Sequence, residues 1–549
     1  MSGMSAVALA LGTRDLWLPR TGLAQTTSSS NPFKLGVASG DPWPNSVVLW
    51  TRLTPGDPLN GGGTPSSTAV GWEVASDTNF TTIVRSGTAT AAPKFAHSVH
   101  VEVDGLAPAK RYYYRFKNGG YTSPTGRTKT AWATSDAQMP TSMRFALASC
   151  QHWESGYYTA YGHMANQDLD LVVHVGDYIY EGAPSSGTVL RKHSAVADPS
   201  WGCNTLADYR NRHAQYKTDR HLQAAHAAHP WVVVWDDHEV ENDYVGTNSW
   251  YRQSDFANRR AAAYQAYYEH MPLRRSSVIL DTQGKVANIN LYRQISYGNL
   301  ANFNVLDTRQ FRSYWACANQ GSLIESTCKE RTADPVMTNN KPSRRHTYLG
   351  GKDMGLYYET SPWLKDSQEI WLKGKLSSPG PTWNVLAQQV IMFKYDHNDW
   401  SGNYYSEAWD SYSATRDRLL KHIVEKKVRN PIVLSGDMHS GWASNRESNF
   451  HDSLTSGIIG AEFTGTSISS GLSSGWDTTY KNALPYNKHV KHYDGRQGGY
   501  LLCTLNNTRW KTEYVQAASL KDNNNTSATV PKTLYVDAKA SGSSGVLSA

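Results

Sequence analysis

Leu169-Asp-Leu-Val-Val-His-Val-Gly-Asp-Tyr-Ile-Tyr-Glu181 is an apolar run that stops at Gly176 and turns at once into polar, metal-capable side chains. A short Val-rich run bounded by Gly reads as a strand buried on both faces. The same grammar recurs three times: Phe145-Ala-Leu-Ala-Ser leads to Cys150, Val232-Val-Val-Trp leads to Asp236-Asp-His-Glu239, and Ile432-Val-Leu-Ser-Gly leads to Asp437-Met-His439. One Gly-Asp after a strand is ordinarily a turn or a helix cap. Four such endings are different, because layered α/β folds gather ligands at the carboxyl ends of their strands. Cys150, Asp177, Tyr180, Asp237, Asp437 and His439 are therefore expected to meet at one site.

Strands and helices alternate around these endings, as an α/β layered domain requires. Strands are expected at Met143–Ser149, Leu169–Val175, Trp231–Trp235, Leu300–Leu306, Trp383–Leu386 and Pro431–Leu434. Helices are expected at Gly156–Asn166, Leu206–Ala227, Asp255–His270 and Ser413–Lys427. Upstream the pattern is different. Ser46–Thr51, Ala69–Val74, His97–Val103 and Arg111–Phe116 are short alternating strands separated by turns such as Asp104–Pro108, which suggests an immunoglobulin- or fibronectin-like sandwich over 33–137. The fold class is thus α/β (α+β), with a small N-terminal all-β sandwich ahead of a layered domain over 141–516. Residues 517–549 read as a loop-like tail with a strand at Thr533–Val536.

With 549 residues the chain is longer than one hydrophobic core usually supports, so two domains are expected. Hydrophobic residues make up only 39%, but 19 Trp and 32 Tyr supply large contact areas with polar tips. The 54 basic and 47 acidic residues leave +7, without a run of like charges, so charge gives no support to nucleic-acid binding. The five cysteines form no CxxC or paired zinc-ligand spacing, which excludes a zinc finger. Cys317 and Cys328 close a polar loop that would suit a local disulfide in an oxidising compartment, and the odd total leaves Cys150 as the candidate free thiol. Met4–Gly12 is apolar but too short to span a bilayer, and residues 1–32 read as an export-signal remnant and linker.

Each residue type has its own use at such a site. Asp177 can offer two oxygens to two cations and so sit at the centre of a multi-metal cluster. Tyr180 becomes a good ligand only for a strongly Lewis-acidic ion such as ferric iron. A Cys150 thiolate and a neutral His439 nitrogen also suit iron better than magnesium. Asp237 and Asp437 supply only oxygens, compatible with calcium, manganese or magnesium. A cation cluster of this kind serves phosphate-ester hydrolysis. His238 is placed to touch the phosphoryl group or protonate the leaving oxygen, or else to act one hydrogen bond away from the metals. Arg210 is a weaker candidate for a phosphate clamp.

Phe33–Pro42 with Val47–Arg52, Ala148-Ser-Cys-Gln151, Gly176–Glu181, Trp235–Val240, Leu434–His439 and Glu462–Ser470 resemble, in order and spacing, the PhoD-type alkaline phosphatase/phosphodiesterase family from about residue 33 to about 515. The resemblance implies a calcineurin-like metallophosphatase core of two packed sheets flanked by helices. It implies ferric iron held by Cys150, Asp177, Tyr180 and His439, calcium (one ion or two) held by Asp237 and Asp437, and Asp177 as the bridge. Hydrolysis of phosphomonoesters and phosphodiesters is implied too, with phospholipids as substrates of some relatives. So is export by the twin-arginine route, making the protein secreted, periplasmic or attached to the cell wall, although no arginine pair stands in residues 1–32. Gly351–Ser367 reads as an insertion relative to typical members, with bearing on substrate preference. A phospholipase D-type diesterase and a cell-surface binding protein with a structural metal site are the competing readings.

Overall fold

Three of the four decisive runs are neighbouring strands of one sheet, because each is apolar on both faces and pairs in parallel. Ser142–Ala148, Leu171–His174 and Pro230–Val233 lie side by side, with Val172 opposite Ala146 on one side and Trp231 on the other. The fourth, Pro431–Ser435, lies in a second sheet between Trp383–Ala387 and Ile458–Thr464, parallel to both. This computed structural model describes residues 30–61, 63–134, 141–194, 202–251, 253–284, 286–312, 327–329, 368–376, 380–396, 403–405, 407–447, 457–496, 498–540 and 545–548.

The first sheet has ten strands, in the order Leu547–Ser548, Ala528–Asp537, Arg509–Ala517, Gly499–Asn506, Ser142–Ala148, Leu171–His174, Pro230–Val233, Val37–Trp43, Ser46–Arg52, Ser98–Asp104. The second has seven, in the order Arg293–Tyr297, Ala301–Val305, Trp383–Ala387, Pro431–Ser435, Ile458–Thr464, Gly441–Glu447, Val490–Asp494. The two sheets bury a shared core. Phe145 meets Phe303 edge to face at 5.1 Å and Trp383 meets Trp510 at 5.6 Å, geometries that favour aromatic pairs beyond their buried area. The chain thus has the α/β class expected, with an all-β portion ahead of a two-sheet core.

Several elements differ from their expected form, each for a local reason. Val37–Trp43, Ser46–Arg52 and Ser98–Asp104 form one half of the N-terminal sandwich and also continue the ten-stranded sheet. Their valines pack against Val70, Val74, Tyr112, Tyr114 and Phe116 of the five-stranded sheet that makes the other half. The helical stretch after Leu206 is two helices, Leu206–Lys217 and Arg220–Ala228. Asp219 breaks it, because its carboxylate caps the second helix by accepting the amides of His221 and Leu222 at 2.9 and 3.1 Å. The expected loop-like tail contains a ten-residue strand, Ala528–Asp537, with Leu534 and Val536 fully buried. Pro531 falls in the register shift between the Tyr514–Lys532 and Gln516–Thr529 pairs, where an interrupted ladder tolerates its missing N–H.

Cys150, Cys203 and Cys503 are buried free thiols. Cys317 of the expected Cys317–Cys328 pairing, the insertion at 351–367 and residues 1–29 of the export-signal segment lie outside the described residues. Among the described residues no helix is long and apolar enough to cross a membrane.

Candidate metal centre

The ends of the parallel strands turn sharply, and the turns carry the candidate ligands. Cys150, Asp177, Asp437 and His439 all have left-handed backbones, with φ of 59°, 56°, 63° and 50°. Non-glycine residues seldom adopt this region, and they gather where a site demands a particular side-chain direction. Gly176 makes the turn before Asp177 at φ 113°. A Cβ there would stand 2.5 Å from the Asp236 amide nitrogen, so only glycine lets the two strand ends approach.

The six expected residues converge. Ligand atoms of Cys150, Asp177 and His439 lie within 4.8 Å of one another, as do those of Asp177, Asp237 and His238, and those of Asp236, Asp237 and Asp437. Asp177 belongs to the first two groups and Asp237 to the last two, so the three form one chain of candidate ligands. The Tyr180 phenol joins the first group, donating to Asp177 Oδ2 at 2.7 Å and lying 3.0 Å from His439 Nε2. His439 Nδ1 lies 2.9 Å from the Gly471 carbonyl, to which it can only donate. That bond leaves the Nε2 lone pair aimed at the cluster, the usual arrangement of a metal-binding imidazole.

Other residues hold these groups in place. Glu239 is fully buried and accepts the amides of Tyr178 at 2.5 Å, Asp236 at 2.8 Å and Asp177 at 3.2 Å, stitching two strand ends together. The Asp243 amide donates to Asp237 Oδ2 at 2.7 Å. The Ser470 hydroxyl lies 2.7 Å from the Tyr180 phenol and 2.8 Å from the Cys150 carbonyl. His238 Nδ1 sits 2.7 Å from the buried Glu181 carboxylate.

Burial and neighbouring charges shift most of these groups. Burial pushes the Asp177 carboxyl well up, and the nearby Asp237 and Asp236 charges add to this against the pull of His238. Burial and Asp236 raise Asp437 to about 8, against Arg309. Burial raises the Cys150 thiol and the Tyr180 phenol, with Asp177 adding to both. Burial also brings His439 down to about 4, which keeps it neutral and able to bind a cation. Burial would lower His238 as well, but Asp237, Glu181 and Asp177 together hold it well above the ordinary imidazole range. Asp237 stays below the ordinary carboxylate range in spite of burial because of Arg309 and His238. Asp177 Oδ1, Asp236 Oδ2, Asp237 Oδ1 and Asp437 Oδ2 are buried without a hydrogen-bond partner. Several carboxylates sealed from water are costly unless cations meet them, so the donor set fits metal ions.

Arg210 is not brought to this cluster. Its guanidinium is forked onto Glu269 at 2.6 and 2.7 Å and bonded to the carbonyls of Gly61 and Lys94, where it ties helix Leu206–Lys217 to its neighbours. The contacts of Arg309 and the carboxylate of Asp236 are the main additions to the expected set. Asp236 stands in the same post-strand run as Asp237, and Arg309 follows the strand Ala301–Val305, so the strand-end rule extended to that strand points to it.

The sequence matches the PhoD-like phosphatase family over residues 145–514 and the N-terminal domain of PhoD-like phosphatases over 19–132. It is 48% identical to alkaline phosphatase D of Bacillus subtilis (strain 168) over 497 residues, covering 88% of this chain and 78% of that protein. A solved structure of PhoD superposes with a TM-score of 0.80 at 44% identity, covering 95% of this chain and 92% of that one. The convergence of the strand-end ligands, the matched family segments and the extent of these similarities lead to one assignment: the chain belongs to the PhoD-like phosphatase family and is a phosphoric ester hydrolase.

Proposed function

We propose that this protein is an exported, mixed-metal alkaline phosphatase and phosphodiesterase. Cys150, Asp177, Tyr180 and His439 would hold ferric iron, Asp237 and Asp437 would hold calcium, and Asp177 would bridge the two. The observation that carries this reading is the linked chain of donors, in which Asp177 joins the Cys150–His439 group to Asp237, and Asp237 leads on to the all-carboxylate Asp236–Asp237–Asp437 group. Soft and nitrogen donors on one side and oxygen donors on the other match the preferences of a transition metal and of a hard cation. When bound, the cations supply a sink for charge on the phosphoryl oxygens and lower the pKa of the water that attacks phosphorus.

The remaining steps belong to the side chains. Glu239 and the left-handed turn at Asp177 fix the backbone that carries the Asp177 carboxylate before substrate arrives, so little reorganisation is needed during the reaction. Glu181 accepts a hydrogen bond from His238 Nδ1, which leaves Nε2 as the nitrogen available to a substrate. In its protonated form His238 delivers a proton to the departing alkoxide, the usual task of a general acid. A two-domain division is part of the same proposal, with the sandwich over 33–137 acting as a scaffold for the strand ends and the layered domain running past the expected limit of 516 to include Ala528–Asp537.

Two assays bear on this reading. Purified protein is expected to contain iron and calcium by elemental analysis, and to release alcohol from a phosphomonoester and a bis-aryl phosphate faster than choline from phosphatidylcholine. Metal-free protein with full activity overturns the mechanism, and preference for phosphatidylcholine moves the substrate class to phospholipids. Export is tested by finding the protein in the extracellular or cell-wall fraction.

Glu181→Gln is expected to lower kcat for an alkyl phosphate by about 10²-fold, the range of a general-acid contribution. The effect on a nitrophenyl phosphate should be much smaller, because that leaving group needs no proton. Glu181 is one of the charges that raise His238, so its neutralisation lowers the imidazole pKa. The alkaline limb of the kcat profile should therefore move to lower pH.

A further inference from the structure

Behind the all-carboxylate group lies a fixed positive charge. The Arg309 side chain is wholly buried. Its Nε donates to Asp236 Oδ1 at 2.5 Å, and its Nη1 donates to Glu407 at 2.7 Å. Its Nη2 makes no hydrogen bond, but points between Asp237 Oδ1 at 3.6 Å and Asp437 Oδ1 at 3.9 Å. One guanidinium therefore touches or faces all three carboxylates that could take the hard cation. The site is already partly neutralised before any ion enters.

We propose that Arg309 is a built-in counter-cation of the Asp236–Asp237–Asp437 group, which keeps the three carboxylates assembled without metal and weakens the binding of the incoming divalent ion. The inference rests on the reading of that group as a metal site. Its physical basis is that like charges repel strongly where water is excluded, so a guanidinium and a divalent cation sharing three carboxylates compete for them. A site made wholly of carboxylates would hold its cation more tightly and exchange it more slowly. Arg309 makes the hard-ion position the exchangeable one, responsive to the surrounding divalent-ion concentration, while the Cys150–Asp177–His439 end lies outside its direct contacts.

The test compares wild type, Arg309→Met and Arg309→Lys after removal of divalent ions with a calcium chelator, iron content being checked as unchanged. Calcium is then titrated by calorimetry and calcium-free melting is recorded. Arg309→Met should bind calcium at least about tenfold tighter than wild type, ~1.4 kcal/mol, and melt at a lower temperature when calcium-free. Arg309→Lys should stay close to wild type in both. A purely architectural arginine gives the opposite sign, because misplaced ligands bind calcium more weakly; that result, or an unchanged affinity, overturns the proposal. Should Arg309→Met not fold without metal, recovery of the native circular dichroism with calcium but not with sodium chloride of equal ionic strength supports it. Failure to fold at any calcium concentration overturns it. Wild type that binds no calcium at all overturns the metal-site reading itself, a different failure from weaker binding by the variant.

Discussion

Replacing Asp177 by asparagine is expected to lower phosphate release by about 10³-fold or more, ~4 kcal/mol of transition-state stabilisation. Asp177 is the residue shared by the Cys150–His439 and Asp237–His238 groups, and its Oδ1 is buried without a partner. Asparagine keeps the size, and its carbonyl oxygen can still accept the Tyr180 proton. It loses the second anionic oxygen and the charge that bridging two cations requires. Both metal contents should fall together in the variant, whereas Asp437→Asn should reduce calcium alone. Far-ultraviolet circular dichroism should be unchanged, since the backbone turn is held by Glu239 and Gly176 rather than by the Asp177 side chain. Undiminished turnover in folded Asp177→Asn would remove the metal-bridge mechanism altogether.

Stripping the metals is expected to cost at least about 3 kcal/mol for each ion held at a hundred times its Kd or more, and the loss should depend on pH in a particular direction. In the metal-free protein Asp437 is raised to about 8 by burial and by Asp236, and Glu239 to about 8, chiefly by burial, against ordinary values of 3.8 and 4.5. Between those limits the folded chain keeps protons that the unfolded chain has released. Stability contributed by these groups is then complete below about pH 4 and lost as pH rises through 8. Chelated protein should melt at progressively lower temperature from pH 5 to pH 8.5. Metal-loaded protein should show a shallower slope, because a cation replaces the proton on Asp437 while Glu239, which holds backbone amides, still titrates. Parallel melting curves with and without chelator across this range check the claim, and identical slopes would refute it.

The two experiments probe residues that differed in how readily they could be found. Asp177, Asp237, Asp437 and Cys150 were visible because each follows an apolar run whose length and Val content mark a buried strand, and strand ends are where such folds place ligands. His439 and Tyr180 followed from their spacing to those aspartates. Arg210 shows the limit of that reasoning. Its position in an Arg/Tyr/His-rich helix is compatible with a cleft, yet a helix presents several faces, and its guanidinium is forked onto Glu269. Which face meets the site depends on how the helix is laid on the sheet. Arg309 is the reverse case, a residue four positions beyond a strand whose importance appears only once Asp236, Glu407, Asp237 and Asp437 surround it.

The class of the fold, the four strand endings and the types of donor they carry are legible in the residue pattern alone. These depend on local facts: the period of the apolar residues, the glycine before an aspartate, and the chemistry of Cys, Asp, Tyr and His. Packing is what makes strands Val37–Trp43, Ser46–Arg52 and Ser98–Asp104 extend the core sheet, puts Ala528–Asp537 on its other side, and sets Glu239 and Arg309 against the candidate ligands. Sheet order and buried charge partners join residues distant in the chain, and no local periodicity encodes them. The same physical fact explains both sides: donor type is a property of one residue, whereas burial, strand neighbours and counter-charge are properties of the packed whole.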